Sequence, residues 1–338
     1  MTGKSSVTSH PDVLIVGGGV IGTSVLYHLA RAGVRARLLE RAGLCGGASG
    51  ANGALVWPQG MKRTLSLEMS LASHAMLPDL SSVLDIDLEF HTPGGMIAVE
   101  EEAHLGALRQ YLATQAEAGL PAELLDGDEA RRREPALGRN VRGALSMPLG
   151  GAINPFRLIH CLKPIKHDQD WTRFSQAWPP DPAFGRFGAA WVEDPNLPPG
   201  KGMGIHQTAA GNIILGSTSR FVGLDRRPTP GGIRYILEHA TRLLPGLGKL
   251  EVIRTWAGLR PFTPDGLPLL GPSGLPGLLL ATGHDGSGLA LGPLTGRLMA
   301  ELVTTGKMSF PLERLTPERF AAARPPSPAR SSPPPAPA

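Results

Sequence analysis

The sequence predicts an α/β protein in which the two ends of the chain build one domain and the middle builds another. Residues 13–40 have the pattern strand, glycine turn, helix and strand, and residues 277–306 repeat a strand, a glycine turn and a helix. Between them, short alternations of apolar and polar residues are typical of half-buried strands. We therefore expect a parallel-sheet domain made from both ends, with an inserted α+β domain of mixed or antiparallel sheet.

The expected domain boundaries follow these segments. The outer domain should comprise residues 11–60 and 263–305, and the inserted domain residues 61–155 and 203–262. Residues 156–202 hold three of the five tryptophans and many prolines, and we expect them to be irregular or truncated. The C-terminal extension, 306–338, ends with seven prolines among its last 18 residues and should have a disordered tail.

Patterns along the inserted region predict individual elements. Helices are expected at residues 65–84, at 101–119 with Gly119 as the C-terminal cap, and at 231–244. A pair of strands is expected in residues 88–100, a hairpin in 204–223 and a single strand at 251–261. In residues 122–137 we expect a strand followed by a short helix, with Asp126 or Asp128 as the N-terminal cap of the helix.

Composition excludes several classes of protein. Of the 338 residues 41% are hydrophobic, and the net charge is only +4, without a basic stripe of the kind that nucleic-acid binding needs. No run reaches the 18 or so apolar residues of a membrane span. The polar N-terminus carries no secretory signal, so we expect a cytoplasmic protein with no nucleic-acid partner and no membrane span.

Cysteine usage gives no support to a disulfide framework or a metal site. The chain has two cysteines, Cys45 and Cys161, and no C-x-x-C spacing. Cys45 stands in a glycine-rich segment, where it is expected to be a small buried packing residue.

The first unit contains a dinucleotide-binding motif. Gly17, Gly19 and Gly22 fill the pattern G-x-G-x-x-G directly after the apolar run VLIV. The first glycine permits the tight turn, the second lets the backbone approach a pyrophosphate, and the third lets the helix pack on the strand. Glu40, at the end of the second strand, is placed to accept hydrogen bonds from a ribose diol and would repel a 2′-phosphate. The motif therefore predicts a Rossmann-like site and disfavours NADP.

The residues after Glu40 favour FAD over NAD, since ERAGLCGGASGANGA continues as small and polar residues able to line an extended cofactor. With this segment the chain resembles the D-amino-acid-oxidase-like family of FAD-dependent amine oxidoreductases. The likeness is greatest to the glycine/sarcosine oxidase type and to flavoprotein subunits of hydrogen cyanide synthase, opine oxidase and hydroxyproline dehydrogenase. Its motifs run in order over about 270 residues: DVLIVGGGVIG, LLER, GGASGANGA, TPGGMIAVE, INPFRL, IHQTAAGNIILGSTSRFVG, WAGLRPFTPDGLPLLGP and ATGHDGSGLALGP.

The resemblance implies a Rossmann-like FAD-binding domain and a set of cofactor contacts. The residues implied to contact FAD are Gly17, Gly19, Val20, Ile21, Gly22, Glu40, Arg41, Ala48, Ser49, Asn52, Gly53, Gly283, His284, Gly286, Ser287 and Gly288. The second glycine turn would place a helix N-terminus near the flavin, where it stabilises negative charge.

Arg260 and His284 are the candidate catalytic residues. Arg260 precedes a proline, which keeps its backbone extended, and its planar guanidinium can hold a carboxylate through two hydrogen bonds. The resemblance implies that it binds the carboxylate of an amino acid, while a solvated arginine or one paired with Asp265 is the alternative. His284 is expected near the flavin, either in a proton-transfer role or as a capping or packing residue.

The implied reaction is oxidation of a C–N bond by hydride transfer to the flavin. The substrate would be an amino acid or secondary amine of the glycine, sarcosine, D-amino-acid, proline/hydroxyproline or opine type. The enzyme would be a free oxidase or one subunit of a multi-subunit amine dehydrogenase. An NAD-dependent dehydrogenase would need a nicotinamide site that none of these motifs supplies.

The pattern breaks after residue 160. The family continues there with further strands and a small-residue turn, whereas this chain is much shorter and has no such motif. Loss of these strands would weaken the adenosine side of the site and leave an edge of the first sheet bare. The alternative is therefore a degenerate, non-catalytic family member that binds FAD weakly or not at all.

Overall fold

The computed structural model describes residues 10–61, 64–162, 204–219 and 223–323 of the chain. The helices are α1 (Val20–Arg31), α2 (Thr64–Leu84), α3 (Leu105–Glu117), α4 (Gly127–Arg133), α5 (Pro155–Cys161), α6 (Pro230–Leu243) and α7 (Gly288–Thr305). The strands are β1 (Val13–Val16), β2 (Ala36–Leu39), β3 (Leu55–Val56), β4 (Gly95–Val99), β5 (Glu123–Asp126), β6 (Gly143–Met147), β7 (Gly151–Ala152), β8 (Gly204–Gln207), β9 (Ile213–Gly216), β10 (Leu269–Pro272) and β11 (Leu279–Thr282).

The strands form small sheets. β1 and β2 pair in parallel, with Val13 opposite Ala36 and Val16 opposite Leu39. β4, β6 and β5 form an antiparallel sheet in that order, and the pairs β3–β7, β8–β9 and β10–β11 are also antiparallel. The mixed α/β architecture with antiparallel sheets in the middle of the chain agrees with the predicted fold class.

The two ends of the chain meet through helices α1 and α7. A Cβ at position 296 of α7 would lie against the backbone of Ser24 in α1, and one at position 292 would press on Val20. Glycine at these two positions therefore lets the helix axes approach closely. Leu29 of α1 and Leu294 of α7 are fully buried in the same cluster, where each buried leucine stabilises the fold by about 1.5–3 kcal/mol.

Several predicted elements are confirmed with their termini. α2, α3 and α6 match the three predicted helices, and β8 and β9 form the predicted hairpin. Gly119 has φ +67° just after α3, which is the left-handed conformation of a helix C-terminus. Asp126 caps α4 because its carboxylate accepts a hydrogen bond of 2.8 Å from the amide of Glu129. Cys45 is buried as predicted.

Two predicted strands are wrong. In residues 88–100 the structure has β4 and an isolated bridge between His91 and Ala152 instead of a strand pair, because Glu89 has φ +52° and interrupts the extended backbone. Residues 251–261 are not a strand, because no strand of the described chain lies beside them to complete a ladder. Ile253 in this segment is consequently 84% exposed.

The segment predicted as irregular begins with a helix. Asn154 caps α5 by accepting hydrogen bonds from the amides of Phe156 and Arg157, and Pro155 occupies the first turn, where a missing N–H costs nothing. The rest of that segment, from residue 163, and the Pro-rich tail from residue 324 lie outside the described residues. None of the described helices is long and apolar enough to cross a lipid bilayer.

Candidate functional site

A large open cleft of about 2730 Å³ contains most of the predicted site residues. Its volume exceeds the roughly 300–1,000 Å³ typical of small-molecule pockets, so it offers room for an extended cofactor and a substrate. Among the predicted residues, Glu40, Arg41 and Ser287 do not line it. The lining residues relevant to the prediction are Gly17, Gly19, Val20, Ile21, Gly22, Ala48, Ser49, Asn52, Gly53, Arg260, Gly283, His284, Gly286 and Gly288.

The turn between β1 and α1 restricts side chains at its three motif glycines, by backbone conformation at Gly17 and by space at Gly19 and Gly22. Gly17 has φ +113°, which L side chains rarely adopt. A Cβ on Gly22 would clash with the carbonyl oxygen of Gly17, and one on Gly19 would lie 2.9 Å from Oγ of Ser49. Backbone conformation at Gly17 and close contacts at Gly19 and Gly22 thus explain the three glycines, which leave an uncovered backbone cradle at the start of α1.

The N-terminus of α1 faces the cleft without a side-chain cap from Gly19. The first turn of a helix presents backbone N–H groups and the positive end of the helix dipole, which together favour a phosphate. Ser49 lies at this position, and its hydroxyl accepts a hydrogen bond of 3.0 Å from the amide of Val20. The arrangement is therefore suited to a pyrophosphate, with Ser49 beside it.

Glu40 lies at the end of β2 and is held by the backbone. Its Oε2 accepts a hydrogen bond of 2.6 Å from the amide of Gly18, and its Oε1 accepts one of 2.8 Å from the amide of Ala42. The carboxylate is thus fixed beside the glycine turn, and each oxygen keeps a further lone pair that can accept a hydrogen bond from a hydroxyl. The neighbouring Arg41 is exposed.

Residues 48–53 form a compact loop along the cleft. Ala48–Gly50 is a short 3₁₀ helix, and the side chain of Asn52 bonds to the carbonyl of Ser49 and, at 2.5 Å, to the amide of Ala54. Nε1 of Trp256 donates a hydrogen bond of 3.1 Å to the carbonyl of Ala51. Trp256, which sequence reasoning did not assign to the site, therefore connects this loop with the segment that carries Arg260.

The second glycine turn, residues 283–288, leads into α7. Gly283 has φ +73°, and a Cβ at position 286 would collide with the guanidinium of Arg260. The turn is closed by a hydrogen bond of 2.8 Å from the amide of Ser287 to the carbonyl of His284. The Ser287 hydroxyl points to Sδ of Met61 at 3.5 Å rather than into the cleft.

His284 is buried beneath this turn. Its Nε2 lies 2.9 Å from Oγ1 of Thr295 in α7, and burial lowers the pKa of the imidazole to about 3. The ring is therefore neutral near pH 7 and its Nε2 is already engaged with Thr295. This geometry supports the capping or packing alternative more than a proton-transfer role.

Arg260 pairs with an acid that sequence reasoning missed. Its Nε lies 3.3 Å from Oδ1 of Asp285, whereas Asp265 pairs with Arg319 at 2.8 Å. Asp285 has φ +50°, a conformation that aspartate tolerates better than most residues. An aspartate inside a glycine turn is the one feature of the sequence that could have drawn attention to this position.

The tyrosines occupy three different surroundings. Tyr27 is buried in α1, where its hydroxyl accepts a hydrogen bond from Arg31. Tyr111 lines the cleft and donates a hydrogen bond of 2.7 Å to the carbonyl of Gln59. Tyr235 also lines the cleft, with its ring 4.1 Å from that of His239. Tyr111 and Tyr235 are thus the candidates for contact with a substrate.

Comparison with known proteins identifies the family. Residues 12–163 and 176–302 match the family described as DAO, FAD dependent oxidoreductase. The match covers well over half of the chain, and the glycine cradle, the helix N-terminus and the placed acid fit a flavin dinucleotide. The chain belongs to this family of FAD-dependent oxidoreductases, so the predicted family and cofactor are confirmed.

Curated relatives and solved structures agree with this assignment. Glycine oxidase of Geobacillus kaustophilus is 28% identical, over 90% of this chain and 96% of its own length. An opine oxidase subunit of Agrobacterium tumefaciens is 26% identical, over 92% of this chain and 98% of its own length. The solved structure of the Geobacillus kaustophilus glycine oxidase superposes with a TM-score of 0.77 at 26% identity, covering 90% of this chain and 98% of that one. The structure of L-proline dehydrogenase from P. horikoshii shows the same fold, with a TM-score of 0.74 at 20% identity. The superposition covers 93% of this chain and 99% of that one.

The matches also support a shortened middle segment. The alignment with the Geobacillus kaustophilus relative extends over 362 positions, more than the 338 residues of this chain, so part of that relative has no counterpart here. The family match is itself interrupted between residues 163 and 176, inside the segment where the predicted motifs break.

Proposed function

We propose that this protein oxidises the C–N bond of an amino acid or secondary amine with FAD as the hydride acceptor. The observation that carries the proposal is the position of Arg260. Its guanidinium lies against the 283–288 turn, in the same cleft as the glycine cradle of α1. A carboxylate-binding cation at this turn would hold an amino acid beside the place where the family resemblance locates the flavin.

The proposed cofactor contacts divide into three groups along the cleft. The glycine turn and the N-terminus of α1 would hold the pyrophosphate, with Gly17, Gly19, Val20, Ile21, Gly22 and Ser49. Glu40 and Arg41 would serve the ribose and adenosine side, while Ala48, Asn52 and Gly53 would line the middle. Gly283, His284, Gly286, Ser287 and Gly288 would support the flavin ring, with His284 acting through its buried bond to Thr295.

Bound FAD would supply the acceptor for a hydride from the carbon that carries the amine, and the resulting imine would hydrolyse. The chain itself would contribute mainly orientation, which is the larger requirement of such a transfer. Arg260 would fix the carboxylate end of the substrate. His284 is neutral and bonded to Thr295, so we assign it to holding the turn and not to moving a proton.

The proposed substrate range rests on the relatives. Those named as glycine oxidase, as an opine oxidase subunit and as a hydrogen cyanide synthase subunit all match most of this chain. Glycine, sarcosine, D-amino acids, proline, hydroxyproline and opines are therefore the substrates to test. The names of the last two relatives contain the word subunit, which supports the proposal that this protein has partner subunits. We also propose a cytoplasmic location and the domain boundaries predicted from the sequence.

The second candidate is a degenerate family member with weak or no FAD binding. It is favoured by the bare surface of β1, whose one described partner strand is β2. Leu14 and Val16 of β1 are 55% and 82% exposed. A strand of a parallel sheet is normally covered on both faces, so the open face of β1 departs from the usual architecture of such a site.

The visible absorption spectrum of the purified protein, with FAD added if it is colourless, separates the two candidates. A flavin spectrum that bleaches without oxygen on addition of one of the amines would support the enzyme. The matched variant Arg260→Gln should keep the flavin spectrum. Its rate of bleaching by amino acids should fall at least about a hundredfold, because the positive charge that would bind the carboxylate is gone. Failure to retain flavin even at high added FAD would overturn the proposal in favour of the degenerate member.

A further inference from the structure

The ion pair of Arg260 and Asp285 leaves hydrogen-bonding capacity unused on both partners. Nε of Arg260 lies 3.3 Å from Oδ1 of Asp285, yet this carboxylate oxygen is buried without a hydrogen bond from any described residue. A guanidinium has five donor N–H groups, of which this contact engages a small part. Because buried polar atoms are nearly always satisfied, an unsatisfied one in a cleft calls for an explanation.

The backbone, and not only side-chain packing, holds the two charges together. The amide of Asp285 donates a hydrogen bond of 2.8 Å to the carbonyl of Pro261, the residue next to Arg260. Asp285 also has φ +50°, a conformation that costs energy outside glycine and is found disproportionately at functional sites. The fixed turn therefore keeps a carboxylate beside the arginine whether or not a ligand is bound.

We propose that Asp285 sets the charge preference of the Arg260 carboxylate site, so that zwitterionic amino acids bind in preference to ligands with net negative charge. The proposal rests on the proposed carboxylate-binding role of Arg260. Together the two side chains carry no net charge. A zwitterion preserves this balance, whereas a monoanion adds one uncompensated charge, and a dianion adds two, beside a carboxylate that cannot move away.

The surroundings of the pair leave the charge of Asp285 strong enough to change ligand affinity measurably. The side chains of Arg260 and Asp285 are 38% and 28% exposed, so solvent screens the pair only in part. The neighbouring His284 is neutral at physiological pH and adds no charge to the turn. Asp285 is therefore the charged group of this turn that a ligand on Arg260 would meet.

The test uses three carboxylates that are poor hydride donors: betaine as zwitterion, acetate as monoanion and malonate as dianion. Their affinities for the purified protein with FAD supplied are measured by titration calorimetry. In Asp285→Asn the side chain keeps its size and tolerates the left-handed backbone but loses its charge. The ratio of malonate to betaine affinity should rise about tenfold, which corresponds to 1.4 kcal/mol. The control Asp12→Asn removes an equal charge from an exposed pair with Arg35 and should leave the ratio unchanged.

Two results would overturn the proposal. One is a malonate-to-betaine ratio that stays within about twofold of the wild type in Asp285→Asn. The other is absence of carboxylate binding to the wild type. The first is separable from the failure of the proposed function, because charge-selective binding is measured without turnover, whereas the second would also remove the proposed carboxylate-binding role of Arg260. A protein that binds betaine selectively through Asp285 but bleaches with no amine would retain this inference and lose the oxidase assignment.

Discussion

The two sides of the β1–α1 unit differ sharply in how they are packed. On the helix side, Gly292 and Gly296 let α7 press directly on α1, and the contact buries a continuous apolar cluster. On the strand side, Val16 is 82% exposed and β2 is the one described neighbour of β1. The cradle for the cofactor is therefore supported from the helix side. Among the described residues, the turn and helix of the dinucleotide site are therefore packed on the helix side, while the sheet beside them consists of two strands.

The largest effect is expected at the close contact of α1 and α7. Gly296→Ala would drive a methyl group into the backbone of Ser24, which we expect to cost about 3 kcal/mol or to prevent folding. Helix propensity alone would make the same change stabilising by nearly 1 kcal/mol. Urea unfolding of the wild type and of Gly296→Ala measures the change in the free energy of unfolding.

The matched control for this prediction is Gly106→Ala in α3. A Cβ at position 106 has open space within 4 Å, so the substitution should stabilise the protein by about 0.5–1 kcal/mol. Equal effects at positions 106 and 296 would show that the helix contact is looser than the structure has it.

The second largest effect is a loss of stability in acid, caused by two histidines that lie on or beside α1 and α7. Burial lowers the pKa of His28 in α1 to about 4, with Arg31 and Arg297 adding to the shift, and burial lowers that of His284 to about 3. Both imidazoles are neutral in the fold, whereas the unfolded chain binds protons below its pKa of about 6.5. Stability is therefore complete above pH 6.5 and falls as the pH drops toward 4, by about 2 kcal/mol for each histidine at pH 5.

Unfolding free energies at pH 7 and pH 5 test this dependence. His284→Asn removes one titrating group, so the loss between the two pH values should shrink by about 2 kcal/mol relative to the wild type. The control is His10→Asn, at an exposed position near the start of the described chain. A pH dependence that is the same in His284→Asn and the wild type would contradict a buried neutral imidazole.

A smaller effect is expected at the N-terminus of α1. Ser49→Ala removes the acceptor for the amide of Val20 and should cost about 1 kcal/mol of stability, as loss of a helix cap does. Added FAD should recover part of this loss if phosphate oxygens can take the place of the hydroxyl. Ala136→Ser, at an exposed turn position that does not line the cleft, serves as the control in thermal unfolding with and without FAD. An unchanged stability in Ser49→Ala would show that the amide is satisfied by water.

The sequence predicts local features well because their causes are local. Gly17 and Gly22 follow from the sterics of one turn, and Asp126 follows from the unsatisfied amides at the start of α4. The segment around Ile253 has the composition of a strand, but a strand forms only beside a partner, and composition does not report the partner. The pairing of Arg260 with Asp285 was likewise beyond reach, because it depends on how two distant turns are brought together.

The smallest effect should come from the exposed face of β1. Leu14 is 55% exposed, so Leu14→Ala should cost only about 0.5 kcal/mol. The adjacent Ile15 faces the core cluster, and Ile15→Ala should cost about 2 kcal/mol on the same strand. The two neighbouring side chains lie on opposite faces of β1. The ratio of the two losses in unfolding free energy, measured in urea, therefore reports whether the second face of the strand is covered. A cost at Leu14 equal to that at Ile15 would mean that another part of the protein or another chain packs on β1 in solution, and the contrast between the two sides would disappear.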